Sequence, residues 1–140
     1  MRAFLVLLFC LSFSLVSHAQ SDTLKTDSGL KYVILKEGNG WGVNSGSKVL
    51  VHYTGWLPNG KEFDTSANGK PLKFKAGVGQ VIKGWDEMLL LMQVGDEVEV
   101  LIPAKLAYGS KGVLNSDGET FLIPPNTDLR FRMQVVRVDR

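Results

Sequence analysis

The run V-I-K-G-W-D-E-M-L-L at residues 81–90 decides the fold, because it is the helix-like stretch in a chain that otherwise reads as β-strand. Ile82, Trp85 and Met88 or Leu89 fall on one face at helical spacing, which predicts a short helix over 81–91. Gly84 weakens that helix. A helix so short is marginal alone in water, so it must pack on a sheet. A tryptophan in this setting commonly serves as a core anchor. Other aromatics are available to crowd around it: Tyr53, Phe63, Phe74, Tyr108 and Phe131. Together they can wall an apolar cleft floored by Trp85, and such a cleft suits a hydrophobic, amide-containing ligand better than an ionic one.

Outward from the helix, strand signals lie on both sides. Residues 30–35 read as a first strand, ended by E-G-N-G at 37–40. In 46–57, Val49, Val51 and Tyr53 alternate with Leu50, His52 and Thr54, so Tyr53 shares a face with two β-branched residues. P-N-G at 58–60 and N-G-K-P at 68–71 read as turns. Phe63 and Asp64 lie near a strand start between them, and Pro71 demotes L-K-F at 72–74 to an edge or short strand. Past the helix, Val98, Val100 and Ile102 alternate with less apolar neighbours, and Leu129, Phe131, Met133 and Val135 do the same near the end. Many strands around one short helix give an α+β domain with the helix on the apolar face of the sheet. Residues 107–127 are expected to be irregular, and a structureless loop of roughly 20 residues in so small a domain is functional or mobile.

The first residues read as a leader. Arg2 supplies a positive start, residues 4–16 are largely apolar, and Ser17-His18-Ala19 fits a small-x-small cleavage site. Residues 1–19 are therefore expected to be a signal peptide, with an uncleaved anchor helix as the alternative. Residues 20–29 are expected to be a loose polar segment, and residues 30–140 one domain. The apolar run is short for a membrane span, and no cysteine stands beside the cleavage site to take a lipid. Export is expected, with a bacterial periplasm favoured over secretion or membrane tethering. Cys10 leaves with the leader, so the mature chain has no disulfide and must rest on its apolar core. About 120 residues are enough for that.

Composition removes several functions. The formal charge of +2 falls by one when Arg2 is lost, which gives no electrostatic case for nucleic acid or an acidic substrate. His52 is the one histidine past the leader and lies on the opposite strand face from Tyr53, so a transition-metal cluster lacks ligands. Asp117 and Glu119 do not make a full calcium set. Gly77 and Gly79 lack the fingerprint of a phosphate loop. No cofactor is expected. Without a long partner helix or extra domain, a monomer is expected.

The ordered motifs V-H-Y-T-G (51–55), G-K-E-F-D-T-S (60–66), P-L-K-F (71–74), G-Q-V-I-K-G-W-D-E (79–87), A-Y-G (107–109) and I-P-P-N-T-D-L-R-F (123–131) resemble the FK506-binding protein family of peptidyl-prolyl isomerases. The resemblance covers most of the chain from Gly46 to Val138. It implies an antiparallel sheet of about five strands wrapped over the short helix. It implies X–Pro isomerisation, with proline-containing polypeptides as substrates and FK506-type macrolides as inhibitors. By residue-wise match, Tyr53, Phe63, Asp64, Phe74, Val81, Ile82, Trp85, Tyr108, Ile123 and Phe131 form the proline pocket. Trp85 would be the floor, and Tyr53, Phe63 and Phe131 the walls. The Tyr108 hydroxyl would meet a ligand carbonyl, and the Ile123 backbone N–H would be a second donor.

Several positions depart from the family. Leu72 stands where an aromatic is common, Gln80 replaces a glutamate, and the turn at 67–70 lacks the basic residue that often approaches the matched aspartate. The segment 110–120 is longer than in minimal members. Asp64 could orient Tyr53 and shape the field near the carbonyl, or cap the turn at Thr65-Ser66. Tyr108 could instead anchor its loop, and Phe131 could be plain core. The functional reading is an isomerase assisting folding of exported proteins. The alternative is a proline-peptide binding module or chaperone with little turnover.

Overall fold

A computed structural model describes residues 22–139. The expected leader, with its cleavage site, lies outside the described residues. The strands are β1 (Leu24–Lys25), β2 (Lys31–Lys36), β3 (Lys48–Trp56), β4 (Glu62–Thr65), β5 (Leu72–Lys75), β6 (Glu97–Ile102), β7 (Val113–Leu114), β8 (Phe121–Ile123) and β9 (Leu129–Asp139). One α-helix, α1 (Lys83–Leu89), lies between β5 and β6, and a 3₁₀ turn at Ala104–Leu106 follows β6. The large sheet is antiparallel throughout, in the order β1-β2-β6-β9-β3-β4, with β5 beside the other half of β3.

The sheet has seven strands where about five were expected. Part of the excess comes from one broken edge. The turn through residues 66–71, closed by Pro71, splits the strand beside β3 into β4 and β5, which pair with different halves of it. The rest is β1, which pairs Leu24 with Tyr32 inside the segment expected to be loose.

Period-2 alternation chooses the inner face. Val49 and Val51 of β3, Val98, Val100 and Ile102 of β6, and Leu129, Phe131, Met133 and Val135 of β9 are all buried. They meet Trp85, Met88 and Leu89 of α1. This layer of branched side chains stabilises a seven-residue helix that could not stand alone. The helix is shorter than the 81–91 expected. Ile82 is its N-cap and keeps an extended backbone with ψ of 149°, so Val81 and Ile82 lead into the helix rather than belonging to it. Gly84, which weakens the helix by propensity, is explained by packing. A Cβ there would run into the side chain of Ile102, so the glycine lets α1 lie close on β6.

Residues 107–127 are not structureless, contrary to expectation. β7 and β8 form a small antiparallel hairpin, with Val113 opposite Ile123 and Leu114 opposite Phe121. Its tip is tied by the Asp117 carboxylate, which accepts backbone N–H bonds from Glu119 and Thr120 at 2.9 Å each. These bonds, together with the Thr120 hydroxyl, hold the Asp117 carboxyl below its ordinary range. Asp and Gly at the tip supply turn chemistry that a purely apolar reading passes over.

Candidate functional site

Trp85 is delivered by α1 to the inner face of the sheet and is 4% exposed. Its ring meets Tyr53 edge-on at 4.8 Å and Phe131 edge-on at 5.3 Å, and Phe74 lies tilted at 5.8 Å. Phe63 of β4 stands edge-on to Phe131 at 5.5 Å. Such edge-to-face pairs contribute about 0.5–1.5 kcal/mol each beyond area burial, so the rings hold one another in place. Trp85 Nε1 has no hydrogen-bond partner among the described residues.

The rings leave a cavity of about 180 Å³ lined by Trp85, Tyr53, Phe63 and Phe131. Gly55 makes room for the walls. It pairs with Phe131 in the β3–β9 register. A Cβ at this position would sit 2.6 Å from Phe63 Cζ and 2.7 Å from Phe131 Cε1.

Val81 and Ile82 complete the lining from the extended segment ahead of α1. A carboxylate of the helix itself fixes that segment. Asp86 Oδ1 accepts the N–H of Gly77, and Oδ2 accepts that of Gly79, each at 2.8 Å. Both glycines have left-handed φ, 76° and 79°, which a residue with a side chain rarely adopts. The loop that superficially suggested phosphate binding thus already spends these two amides on Asp86.

Two phenols and one carboxylate supply the polarity. The Tyr53 hydroxyl donates to Asp64 Oδ2 at 2.8 Å. Its pKa is pushed up to about 12, first by burial, then by this hydrogen bond and the Asp64 charge, with a smaller push from Tyr108. Tyr108 is raised as well, by burial and then by Asp64. Both phenols therefore remain protonated donors at neutral pH. The proton of Tyr53 is committed to Asp64. The hydroxyl of Tyr108 has no hydrogen-bond partner among the described residues and borders the cavity. Asp64 reaches Tyr53, while the turn after β4 is capped by Thr65, whose Oγ1 accepts the Ala67 N–H at 3.1 Å. Among the described residues no cation forms a salt bridge with Asp64.

Of the residues singled out in the sequence, Tyr53, Phe63, Asp64, Val81, Ile82, Trp85, Tyr108 and Phe131 converge on this one cavity. Phe74 does not line it, and backs Trp85 from within the core. Ile123 does not line it either: its side chain is buried, and its backbone lies in the hairpin opposite Val113. Leu72 and Gln80, which depart from the family's usual residues, also line the cavity. No local signal marks Leu72, which is exposed in β5 and reaches the cavity only through the pairing of β5 with β3. Gln80 accepts the Lys75 N–H at 2.8 Å and so ties the loop before α1 to β5. A separate hollow on the outer face, near His52, Ser66, Glu97 and Arg132, has no Trp85-type floor and shares only Tyr53 with the aromatic cavity.

An antiparallel sheet wrapped on one short helix, with a tryptophan-floored aromatic pocket, defines the class of FKBP-type isomerase folds. The family model for FKBP-type peptidyl-prolyl cis-trans isomerases matches residues 40–136, and the chain belongs to that family. It is 48% identical to FK506-binding protein 4 of Gibberella zeae over 72% of its own length, but it spans only 19% of that relative. It is 41% identical to an FK506-binding protein of Neisseria meningitidis serogroup A, over 74% of this chain and 91% of that one. The crystal structure of a peptidyl-prolyl cis-trans isomerase from Pseudomonas syringae pv. tomato superposes with a TM-score of 0.74 at 31% identity, covering 87% of this chain and 84% of that chain.

Proposed function

We propose that this protein catalyses cis–trans isomerisation of X–Pro bonds in polypeptides, and that it does so on exported proteins as they fold. The observation that carries the reading is the aromatic slot itself: Trp85 beneath, Tyr53, Phe63 and Phe131 around it, and an uncommitted Tyr108 hydroxyl at its border. Its place outside the cytoplasm rests on the leader-like residues 1–19.

Rotation about X–Pro needs no nucleophile. Planarity is held by resonance between the nitrogen lone pair and the carbonyl. Spontaneous exchange takes roughly tens to hundreds of seconds, slow enough to limit folding. The twisted amide has lost that resonance and is less polar at oxygen. A dry slot therefore disfavours the planar ground state more than the twisted state. The rings hold the pyrrolidine while the preceding residue turns, and Tyr108 donates to a carbonyl and fixes its direction. Asp64, by holding the Tyr53 hydroxyl, keeps one wall in position. The apolar contacts act because they are more favourable to the twisted state than to the planar one, while the Tyr108 and Asp64 hydrogen bonds position the chain and the wall. A difference of a few kcal/mol would give about a hundredfold to several thousandfold.

The test is a proline-peptide isomerisation assay on wild type beside Tyr108→Phe and Asp64→Ala. Acceleration by wild type, reduced in both variants, supports the reading. Background turnover with intact peptide affinity overturns it in favour of a binding module or chaperone.

A further inference from the structure

A second cleft opens beside the aromatic cavity and shares Val81, Ile82 and Tyr108 with it. Its volume is about 510 Å³. The segment entering α1 forms one side, and residues 105–111 form the other. Its charge is of one sign. Lys83, Lys105 and Lys111 line it, and no aspartate or glutamate does. None of the three forms a salt bridge among the described residues, and each is exposed, with its ammonium free to swing over the opening. The near-neutral sequence gives no hint of this. Lys83 is far along the chain from the other two, and only the fold brings the three to one cleft.

We propose that this cleft is a further subsite for the same polypeptide, taking a carboxylate side chain close to the proline in sequence. The inference rests on the isomerase reading above. Because those walls are shared, a chain whose prolyl ring fills the aromatic slot borders the basic cleft when it leaves past Tyr108 or past Val81 and Ile82, and not when it leaves past Asp64 or Leu72, which the cleft does not share. Three lysines line the opening while the nearby carboxylates, Asp86 behind Gly79 and Asp64 beside Tyr108, number two, and this excess of positive charge raises the local concentration of acidic side chains and repels basic ones. The subsite therefore selects clients with aspartate or glutamate near the isomerised bond.

The experiment uses the mature protein and a series of peptides with one X–Pro bond. Glutamate, glutamine or lysine is placed in turn at each neighbouring position on both sides of the proline. The readout is the ratio of kcat/KM for the glutamate peptide to that for its glutamine counterpart. The expected ratio is about twofold to fivefold at the position that reaches the cleft, the size of a solvent-exposed ion pair. It should approach one in about 1 M salt, where screening shortens to about 3 Å. It should also approach one in the combined variant Lys83→Gln, Lys105→Gln, Lys111→Gln. A second combined variant, Lys31→Gln, Lys36→Gln, Lys48→Gln, removes equal charge elsewhere and should keep the ratio.

Because the readout is a ratio, partial loss of folded protein cancels. A ratio of one at every position in wild type, or equal loss in both combined variants, overturns the subsite while leaving the isomerase reading intact. If glutamine peptides are not accelerated at all, the isomerase reading is the one that fails. The glutamate-to-glutamine ratio of affinities, measured by titration calorimetry on the same proteins, then decides the subsite independently.

Discussion

Gly55→Ala adds one methyl group where the pocket walls meet, and its effect can be worked from distances. The new Cβ would lie 2.6 Å from Phe63 Cζ and 2.7 Å from Phe131 Cε1. Ordinary carbon contacts are about 3.5–4.0 Å, so a ring or the β3 backbone must retreat by roughly 1 Å. Phe131 is 3% exposed and already fixed against Trp85 at 5.3 Å, which leaves it little freedom. Phe63 is only half-buried and borders the cavity, so it is the ring that yields. Overpacking of this kind costs about 1–3 kcal/mol of stability. Misplacement of a substrate-holding wall by about 1 Å can cost on the order of a hundredfold in rate. The assay is kcat/KM on a proline peptide, together with urea unfolding. Gly69→Ala is the control, since a Cβ there meets nothing within 4 Å. Gly55→Ala that matches wild type in both measurements would refute the claim that close approach at Gly55 sets the slot.

Asp86→Ala removes the acceptor of both the Gly77 and Gly79 amides, bonds worth about 1.5–3 kcal/mol each when buried but less at this partly exposed site. The entry segment should loosen, raising KM more than it lowers kcat; an unchanged KM would show that Val81 and Ile82 are held by other contacts. Gly84→Ala pits a helix-propensity gain of about 1 kcal/mol against an overpacking cost of about 1–3 kcal/mol at Ile102. Ile102 is fully buried and cannot retreat, so the urea midpoint should fall rather than rise. The midpoint for loss of turnover at high pH should lie above 10, because burial and Asp64 push Tyr53 up to about 12 and raise Tyr108 above the ordinary phenol value of 10.0. Between pH 10 and about 12 the native state keeps a Tyr53 proton that the unfolded chain releases. The stability from Tyr53 is therefore whole below pH 10 and is lost as pH climbs to 12. Activity that titrates away with a midpoint at or below 10 would contradict the upward shift of the two phenols.

Much of this molecule is legible in local pattern. Alternation at Val98, Val100 and Ile102, and again from Leu129 to Val135, is a property of neighbouring residues in a pleated strand. It fixes which side chains turn inward whatever the partner strand is. The helical spacing of Ile82, Trp85 and Met88 likewise places Trp85 on the sheet. What escaped was set by contact between distant segments. Ile82 reads as helical by spacing, yet its backbone is extended as the N-cap. Phe74 and Ile123 have pocket-like identities, but sheet register turns one behind Trp85 and seats the other in the core. Leu72 and Gln80 are unremarkable in sequence and become lining residues only when β5 and the loop before α1 close on the cavity.

The sequence alone therefore determined the alternation of faces, the short helix that carries Trp85 and the identity of that tryptophan, because these depend on residues a few positions apart. The tertiary structure decided where Asp86, Gly55 and Gly84 matter, and how three lysines from separate segments come to share one cleft. Such contacts join residues distant in the chain, and no periodicity encodes a distance across the fold.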